Sequence, residues 1–552
     1  MSVSGRDGRR LGLGAIAGVL AAGTALGVGQ FVAGLTGASG SPVVAVGELQ
    51  IDFTPPWLKN FAITEFGSDD KLVLVSGILV VLAIFAAVIG AAATRRMAYG
   101  MAGLAVFAAV GLTAAATRPA ATFASLLPTL AATASAAAVL LVLIPLVKPR
   151  AAAAPRAASY DPVTAPAAAG PEEAGKPEGS PEAGGSPEAG QLPREPGDVQ
   201  RRSFLAASAV TAGIAIGAGL AGRLLAERGS VASAQKSLRI PRPAVTPQTL
   251  PAGVNLDIPG LAPFVTPNSS FYRVDTALVL PQVDPSSWQL RIHGMVNREL
   301  TLTFEELIKR PLIEDYVTLC CVSNPVGGPY IGNAKWLGAS LAAVLKQAGI
   351  KAGADQLLCT SVDGFTSGTP VQAVMDGRDA LLAVAMNGQP LPVAHGFPVR
   401  MVVPGLYGYV SATKWVTDIN VTTFAGNYAF WAQRGWSQQA PIKTECRIDV
   451  PNGQNVLRAG STPVAGVAWA QHKGIEAVEV RVDAGPWHEA RLGAVPGIDT
   501  WRQWVWDWDA TPGGHVLQAR ATDKTGYTQT AAQAQPEPNG ATGYPSLSVT
   551  VG

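Results

Sequence analysis

The chain has 552 residues, a formal net charge of +2 and four cysteines. That length exceeds one domain and divides most naturally into three or four parts. Near-neutral charge supplies no basic face for nucleic acid, and the few cysteines, without a CxxC or CxxCH motif, exclude a disulfide scaffold.

Uncharged apolar stretches run over 11–35, 72–94, 97–117 and 126–147. Each is long enough to cross a hydrocarbon core of about 30 Å as a helix, so residues 1–150 read as a four-helix transmembrane region. Arg6, Arg9 and Arg10 precede the first stretch, Arg95 and Arg96 separate the second from the third, and Lys148 and Arg150 follow the fourth. The bias of Lys and Arg toward cytoplasmic ends places these groups inside. The segment 36–71, with Glu48, Asp52, Glu65, Asp69 and Asp70, is then an outer loop. Within it, 55–63 is expected along the outer interface, with Trp57 at headgroup depth.

Residues 151–200 are Pro, Ala, Gly and Glu and repeat Gly-Ser-Pro-Glu-Ala-Gly at 179–184 and 185–190. Such a composition cannot pack a core and reads as a disordered linker. The segment 201–235 opens on Arg201-Arg202-Ser203-Phe204-Leu205, continues through a mild apolar stretch and ends on Ala232-Ser233-Ala234. This resembles a twin-arginine export signal; a fifth transmembrane helix is the other reading. Both put the remainder outside the membrane, and an uncut anchor is expected. A twin-arginine route carries folded proteins, which suits a domain holding a cofactor.

From 236 the composition is that of a globular protein. The run from Trp288 to Gly294 alternates as a strand, and Thr303-x-x-Glu306 marks a helix start. Strands are expected at 317–322, 357–362 and 398–403, with an amphipathic helix over 339–348. Strands mixed with short helices indicate an α+β domain over 236–424. In 425–552, alternating runs such as 477–482 and 501–508 imply a β-sandwich whose tryptophans form its core.

All five histidines, His293, His395, His472, His488 and His515, lie in the C-terminal half. The Cys320-Cys321 pair stands at a strand end before Ser323-Asn324-Pro325, a placement that suits a soft metal in a polar pocket. The ordered set Phe271-Tyr272-Arg273, Cys320-Cys321-Val322-Ser323-Asn324, Lys335-Trp336-Leu337-Gly338, Ser361-Val362-Asp363-Gly364, His395-Gly396-Phe397-Pro398-Val399-Arg400 and Thr413-Lys414-Trp415 resembles the sulfite oxidase family of molybdopterin-dependent oxidoreductases. After the transmembrane helical bundle read from the apolar stretches, the resemblance implies an α+β sulfite-oxidase-like molybdopterin domain and an immunoglobulin-like β-sandwich of dimerisation type, a multi-domain architecture.

It also implies a molybdenum–molybdopterin cofactor with Cys321 as the protein's metal ligand, since the family motif places one residue between leucine and the ligand cysteine. Arg273, His395, Arg400 and Lys414 match positions that hold the cofactor's phosphate and ring edges. Arg suits phosphate because its planar fork gives two parallel bonds. Tyr272, Thr360, Asp363 and Thr413 are the expected pterin partners. Cys321, Arg273 and Tyr409 are the candidate catalytic residues, with Tyr407 also near the site by sequence. One departure matters: the family follows its ligand with Ala-Gly-Asn-Arg, whereas Cys321 is followed by Val-Ser-Asn-Pro and no arginine.

The expected reaction is oxygen-atom transfer on a small sulfur-containing substrate at the extracytoplasmic face. The 1–150 half has no histidine to bind b-type haem, so no haem is expected and electrons pass to a separate carrier such as a cytochrome. A homodimer is expected from the sandwich. Two rivals stand: a reductase of S- or N-oxides such as methionine sulfoxide on the same cofactor, and a non-enzymatic membrane-anchored binding protein.

Overall fold

The computed structural model describes residues 5–36, 42–54, 70–118, 122–147, 196–228, 231–453 and 456–552. The expectations for 55–63 with Trp57, for Lys148 and Arg150, and for the linker up to 195 lie outside the described residues. The helices of the N-terminal part are α1 (Gly5–Thr36), α2 (Pro42–Phe53), α3 (Asp70–Arg95), α4 (Met97–Ala116), α5 (Phe123–Val147) and α6 (Pro196–Arg228). Helix α2 falls in the segment read as loop; Pro42 at its first position carries a preset φ and needs no hydrogen-bond acceptor there.

The chain groups into two units, one built on most of α1, α3, α4, α5 and α6, the other on 224–552 with α2 and the remaining helix ends. In the first unit, small residues let backbones approach closely. A Cβ added at Gly18 would strike Ala86 O, and one at Gly222 would strike the Gln30 backbone, so α1 packs against both α3 and α6. Phe204, beside the arginine pair of α6, is buried with Ala17, Ala93 and Leu140. Among the described residues, five helices, including α6, are long and apolar enough to cross a membrane.

The second unit begins with α7 (Ala232–Ser237), whose preceding Val231 is 6% exposed and packs with Phe271 and Phe397. The strands follow as β1 (Gln289–Gly294), β2 (Leu300–Thr303), β3 (Leu312–Cys320), β4 (Ile331–Ser340), β5 (Gln356–Ser361), β6 (Thr366–Pro370), β7 (Leu381–Met386), β8 (Gln389–Pro390), β9 (Arg400–Val402) and β10 (Val416–Thr422). Short helices intervene: α8 (Phe304–Ile308), α9 (Leu341–Ala348), α10 (Val371–Met375) and α11 (Gly408–Ser411). One mixed sheet runs β2-β1-β10-β5-β6, with β1 parallel to β10. A second, antiparallel sheet runs β3-β4-β7-β8, with β9 on β7. Helix α8 starts as read, with the Thr303–Glu306 capping box intact. Strand β3 begins five residues earlier than expected, because Glu314 and Asp315 mask its pairing with β4 in the sequence pattern.

Eight further strands follow: β11 (Glu445–Val450), β12 (Gly460–Trp469), β13 (Ile475–Val482), β14 (His488–Glu489), β15 (Arg491–Leu492), β16 (Arg502–Ala510), β17 (Gly513–Asp523) and β18 (Ser546–Val551). They form two four-stranded antiparallel sheets, β11-β12-β16-β15 and β14-β13-β17-β18. The sheets share a core that includes Trp504 and Ala468 from one and Leu517 and Val549 from the other.

The last residues of β3 are gripped from behind. Thr318 Oγ1 accepts from Trp501 N at 2.8 Å and donates to Asn333 Oδ1 at 3.0 Å. Asn333 Nδ2 and Trp501 Nε1 both donate to Phe264 O at 2.8 Å. Gln471 Nε2 donates to Thr318 O at 3.1 Å, and Thr318 N donates to Asp499 O at 3.0 Å. The Thr318 hydroxyl, the Asn333 amide and the Trp501 indole are all satisfied inside a buried region, the condition under which a polar network stabilises rather than costs. Thr318→Val keeps the shape but leaves Trp501 N and Asn333 Oδ1 without their partner. We expect a loss of about 1–3 kcal/mol, read as a lower denaturant midpoint at unchanged slope.

Candidate active site

Strand β3 ends at Cys320, and the chain turns out of the sheet at Cys321. Cys321 N donates to Tyr330 O at 2.9 Å, and Cys321 O accepts from Asn324 N at 3.1 Å. Asn324 Oδ1 accepts from Tyr330 N at 2.8 Å and locks the turn. Cys320 is wholly buried, its Sγ directed to Cys321 O at 3.5 Å, whereas Cys321 is half-buried. Burial pushes the Cys321 thiol up, while the Ser323 amide and hydroxyl and the Lys414 charge pull it back.

Three cations gather around His395, and one of them, Lys414, also acts on Cys321. Arg400, at the start of β9 and 4% exposed, donates to His395 O and Ala412 O, each at 3.2 Å, and lies 5.0 Å from the Trp336 ring centre. Burial lowers its pKa to about 10, against the influence of Tyr272. Lys414 Nζ donates to Asp275 Oδ2 at 2.8 Å and to Ala394 O at 3.1 Å. Burial lowers it to about 8 although Asp275 opposes the shift. Arg273 engages the same carboxylate with a fork at 2.8 and 3.1 Å. One acid, Asp275, thus serves two cations.

His395 Nε2 lies 3.3 Å from Asn268 O, so that nitrogen carries the proton and donates. Nδ1 is buried with no partner. Burial, then Arg400 and Lys414, hold the imidazole down to a pKa of about 3, leaving a neutral ring with a free acceptor. Gly396 follows with φ of 109°, and a Cβ there would press on Arg400 Cβ at 2.9 Å and Lys414 Cβ at 3.1 Å. Only glycine lets this turn bring the two cations together.

Tyr272 stacks on Phe271 at 5.2 Å, and Phe271 sits edge-on to both Trp336 and His395. The Tyr272 hydroxyl is pushed up by burial, then by Cys321 and Cys320, and pulled down by Arg400. Cysteine, tyrosine and arginine therefore share one electrostatic environment. Thr413 is buried, its hydroxyl 2.6 Å from that of Ser367. Asp363 Oδ1 accepts from Phe365 N at 3.2 Å, and burial, with Asp275 adding to it, raises this acid. Thr360 lies on β5, its carbonyl accepting from the Thr417 hydroxyl at 3.4 Å.

Tyr409 is engaged elsewhere: its hydroxyl donates to Ser437 O at 2.6 Å and its ring packs edge-on against Trp436. The Tyr407 hydroxyl is pushed up by burial, then by Glu445 and Cys320, and accepts from Lys443 N at 3.5 Å. Sequence reasoning missed Asp275, which Arg273-x-Asp275 at two-residue spacing would have flagged. It also missed Asn268, for which the sequence carries no signal.

These residues fit an anionic cofactor with ring nitrogens. Buried cations outnumber their carboxylate, an orphaned acceptor waits at His395 Nδ1, and a thiol stands at the edge of the same group.

Residues 277–431 match the oxidoreductase molybdopterin binding domain family. The chain is 31% identical to mitochondrial sulfite oxidase of Mus musculus over 296 residues, 44% of this chain and 52% of that protein. It thus spans about half the length of the first relatives it matches, 52% for both mouse and rat proteins. It is 32% identical to the uncharacterized oxidoreductase YuiH of Bacillus subtilis over 168 residues, covering 30% of this chain and 81% of that protein. The sulfane dehydrogenase SoxCD from Paracoccus pantotrophus aligns with a TM-score of 0.44 and 25% identity, over 49% of this chain and 75% of that one. Cys321, His395, Arg400 and Lys414 all fall inside the matched segment, and with most of one relative's length covered at this identity, the chain belongs to the sulfite oxidase family of molybdopterin oxidoreductases.

Proposed function

We propose that the chain is a membrane-anchored enzyme that transfers an oxygen atom on a small sulfur-containing anion outside the cytoplasmic membrane. The observation that carries this reading is the excess of buried cations around one thiol and one free imidazole nitrogen. A bound molybdenum–pterin cofactor supplies the two-electron redox chemistry. The chain's own groups hold and orient. Cys321 gives the thiolate ligand; Arg400, Lys414 and Arg273 grip phosphate and substrate charge; and His395 Nδ1 accepts from a ring N–H. Tyr272, Thr360, Asp363 and Thr413 line the pterin edge. The hydroxyl donor to substrate is Tyr272 rather than Tyr409, whose proton is already committed to Ser437.

Electrons pass to a separate carrier protein. The relatives named sulfite oxidase support a sulfur substrate. The 325–328 stretch, where the family has an arginine, instead offers Gly328 O to Arg447 at 3.2 Å, a guanidinium already paired with Asp449. That departure favours, as second reading, reduction of an S-oxide on the same cofactor. Assays with sulfite and with methionine sulfoxide separate the two directions.

The division into a molybdopterin domain at 236–424 and an immunoglobulin-like dimerisation domain at 425–552 is part of the proposal, supported by the paired four-stranded sheets. So is retention of α6 as a fifth, uncut span. Its Phe204 is buried among the other helices, and Val231, next to the Ala-Ser-Ala motif, is bound through its amide to Gln282 Oε1 at 3.2 Å.

Two outcomes test the site. Cys321→Ser is expected to lose molybdenum and turnover by more than the ~100-fold that outer-shell changes cost, while the wholly buried Cys320→Ser keeps both. Equal loss in elemental analysis and turnover would move the ligand assignment. Lys414 is charged below its pKa of about 8 and discharges above it, so KM for an anionic substrate should climb as pH passes about 8. Lys414→Arg should carry that rise to higher pH.

A further inference from the structure

Asn387 and Gly388 join β7 to β8 as a two-residue hairpin turn, with φ of 52° and 76° and Met386 paired to Gln389. Asn-Gly is a favoured pair where both turn residues take positive φ, and the turn alone would explain this asparagine. Its side chain nevertheless makes three hydrogen bonds within the fold.

The direction of each bond follows from backbone chemistry. Lys335 N can only donate, so Asn387 Oδ1 is the atom 2.8 Å from it. Thr266 O can only accept, so Asn387 Nδ2 donates to it at 2.9 Å, and the same nitrogen donates to Asn268 Oδ1 at 2.8 Å. Asn268 Nδ2 in turn donates to Met386 O at 3.3 Å. Asn268 is thereby held at both ends of its amide, and its carbonyl is the acceptor 3.3 Å from His395 Nε2. Because a carbonyl cannot donate, Nε2 keeps the ring's proton, and Nδ1, buried and unpartnered, is the bare nitrogen.

The same segment is tied to the strand that ends at the cysteines. Thr266 N donates to Asn333 O at 2.8 Å, and Thr266 Oγ1 accepts from Asn333 N at 3.2 Å. Asn333 Oδ1 accepts from Thr318 Oγ1 at 3.0 Å. An unbroken run of hydrogen bonds therefore leads from the end of β3, through Asn333 and Thr266, to Asn387, Asn268 and His395.

We propose that Asn387, acting through Asn268, is a positioning residue for His395: it fixes which imidazole nitrogen is left bare and where that nitrogen stands relative to Cys321. This deepens the cofactor-binding reading and rests on it. Without the Asn387 amide, the Asn268 side chain keeps one of its two ties, its carbonyl can swing, and the imidazole loses the acceptor that selects its tautomer. Phe271, edge-on at 5.5 Å, restricts the ring but offers no acceptor to choose between the two nitrogens.

Two substitutions separate this role from turn formation. Asn387→Asp and Asn387→Gly both suit a turn with positive φ, and Asp also keeps an acceptor for Lys335 N. Both remove the two Nδ2 donations. The full-length chain is compared in detergent, once loaded with cofactor and once produced without it, with its histidines labelled with 15N. The His395 signals, identified by their absence from His395→Gln, should show protonated Nε2 and bare Nδ1 in both wild-type preparations. In both Asn387 variants the cofactor-free chain should show a mixture of the two tautomers. The loaded variants should release molybdenum and pterin on dilution about 10–100-fold faster than wild type. Asn268→Ala, which keeps the carbonyl but drops both side-chain ties, should behave alike and carries the comparison if neither Asn387 variant accumulates. Variants with the wild-type nitrogen pattern and wild-type release overturn this proposal and leave Asn387 to the turn alone. A wild type with the proton on Nδ1 overturns it as well. A wild type that takes up neither molybdenum nor pterin overturns the cofactor reading, while the cofactor-free nitrogen pattern still decides whether Asn387 positions His395.

Discussion

The end of β3 is the constraint on which the catalytic half depends. Thr318 is tied at backbone and side chain to Trp501, Asn333, Gln471 and Asp499, so the strand end three residues before Cys321 has one available position. The metal-ligand role proposed for Cys321 would need that fixity, because misplacement by an ångström is costly at a reacting centre. The grip comes partly from residues just before β16, so the sandwich contributes to the placement of the cysteine as well as packing its own core.

The second constraint is electrostatic. Arg400 and Lys414 are buried, and desolvation weakens the hold of each on its proton. Buried charges are tolerated where they are paired or hydrogen-bonded. Here carbonyls of His395, Ala412 and Ala394 take much of that load, and the one carboxylate takes the rest. The folded chain therefore spends stability on a positive environment that its own residues do not neutralise, a cost that sites accept for binding and rarely for architecture.

Much of this was legible in the residues, for identifiable reasons. The apolar stretches declare themselves by length, and the capping box at Thr303 is a local signal that tertiary contacts did not override. The alternation in 501–508 reported β16, and Arg400 and His395 came from an ordered motif. What stayed hidden depends on distance in sequence. Asp275 bridges Arg273 and Lys414 only after folding; the Tyr407–Lys443 contact spans separate segments; and Glu445 looks like any strand glutamate until its burial is seen. Tyr409 and Tyr407 are indistinguishable by spacing, and only the fold sends one hydroxyl to Ser437 and the other to Lys443 N. Helix α2 escaped because its surroundings read as a polar loop.

Asp275 carries one last implication. Because the two cations it binds belong to different segments, it keeps them from springing apart while no guest is present. Once a negatively charged guest arrives, the same carboxylate becomes its rival for those hydrogen bonds. The grip on any anion is thereby kept incomplete, and a pocket that must let its guest go again gains from a built-in competitor that helps push it out.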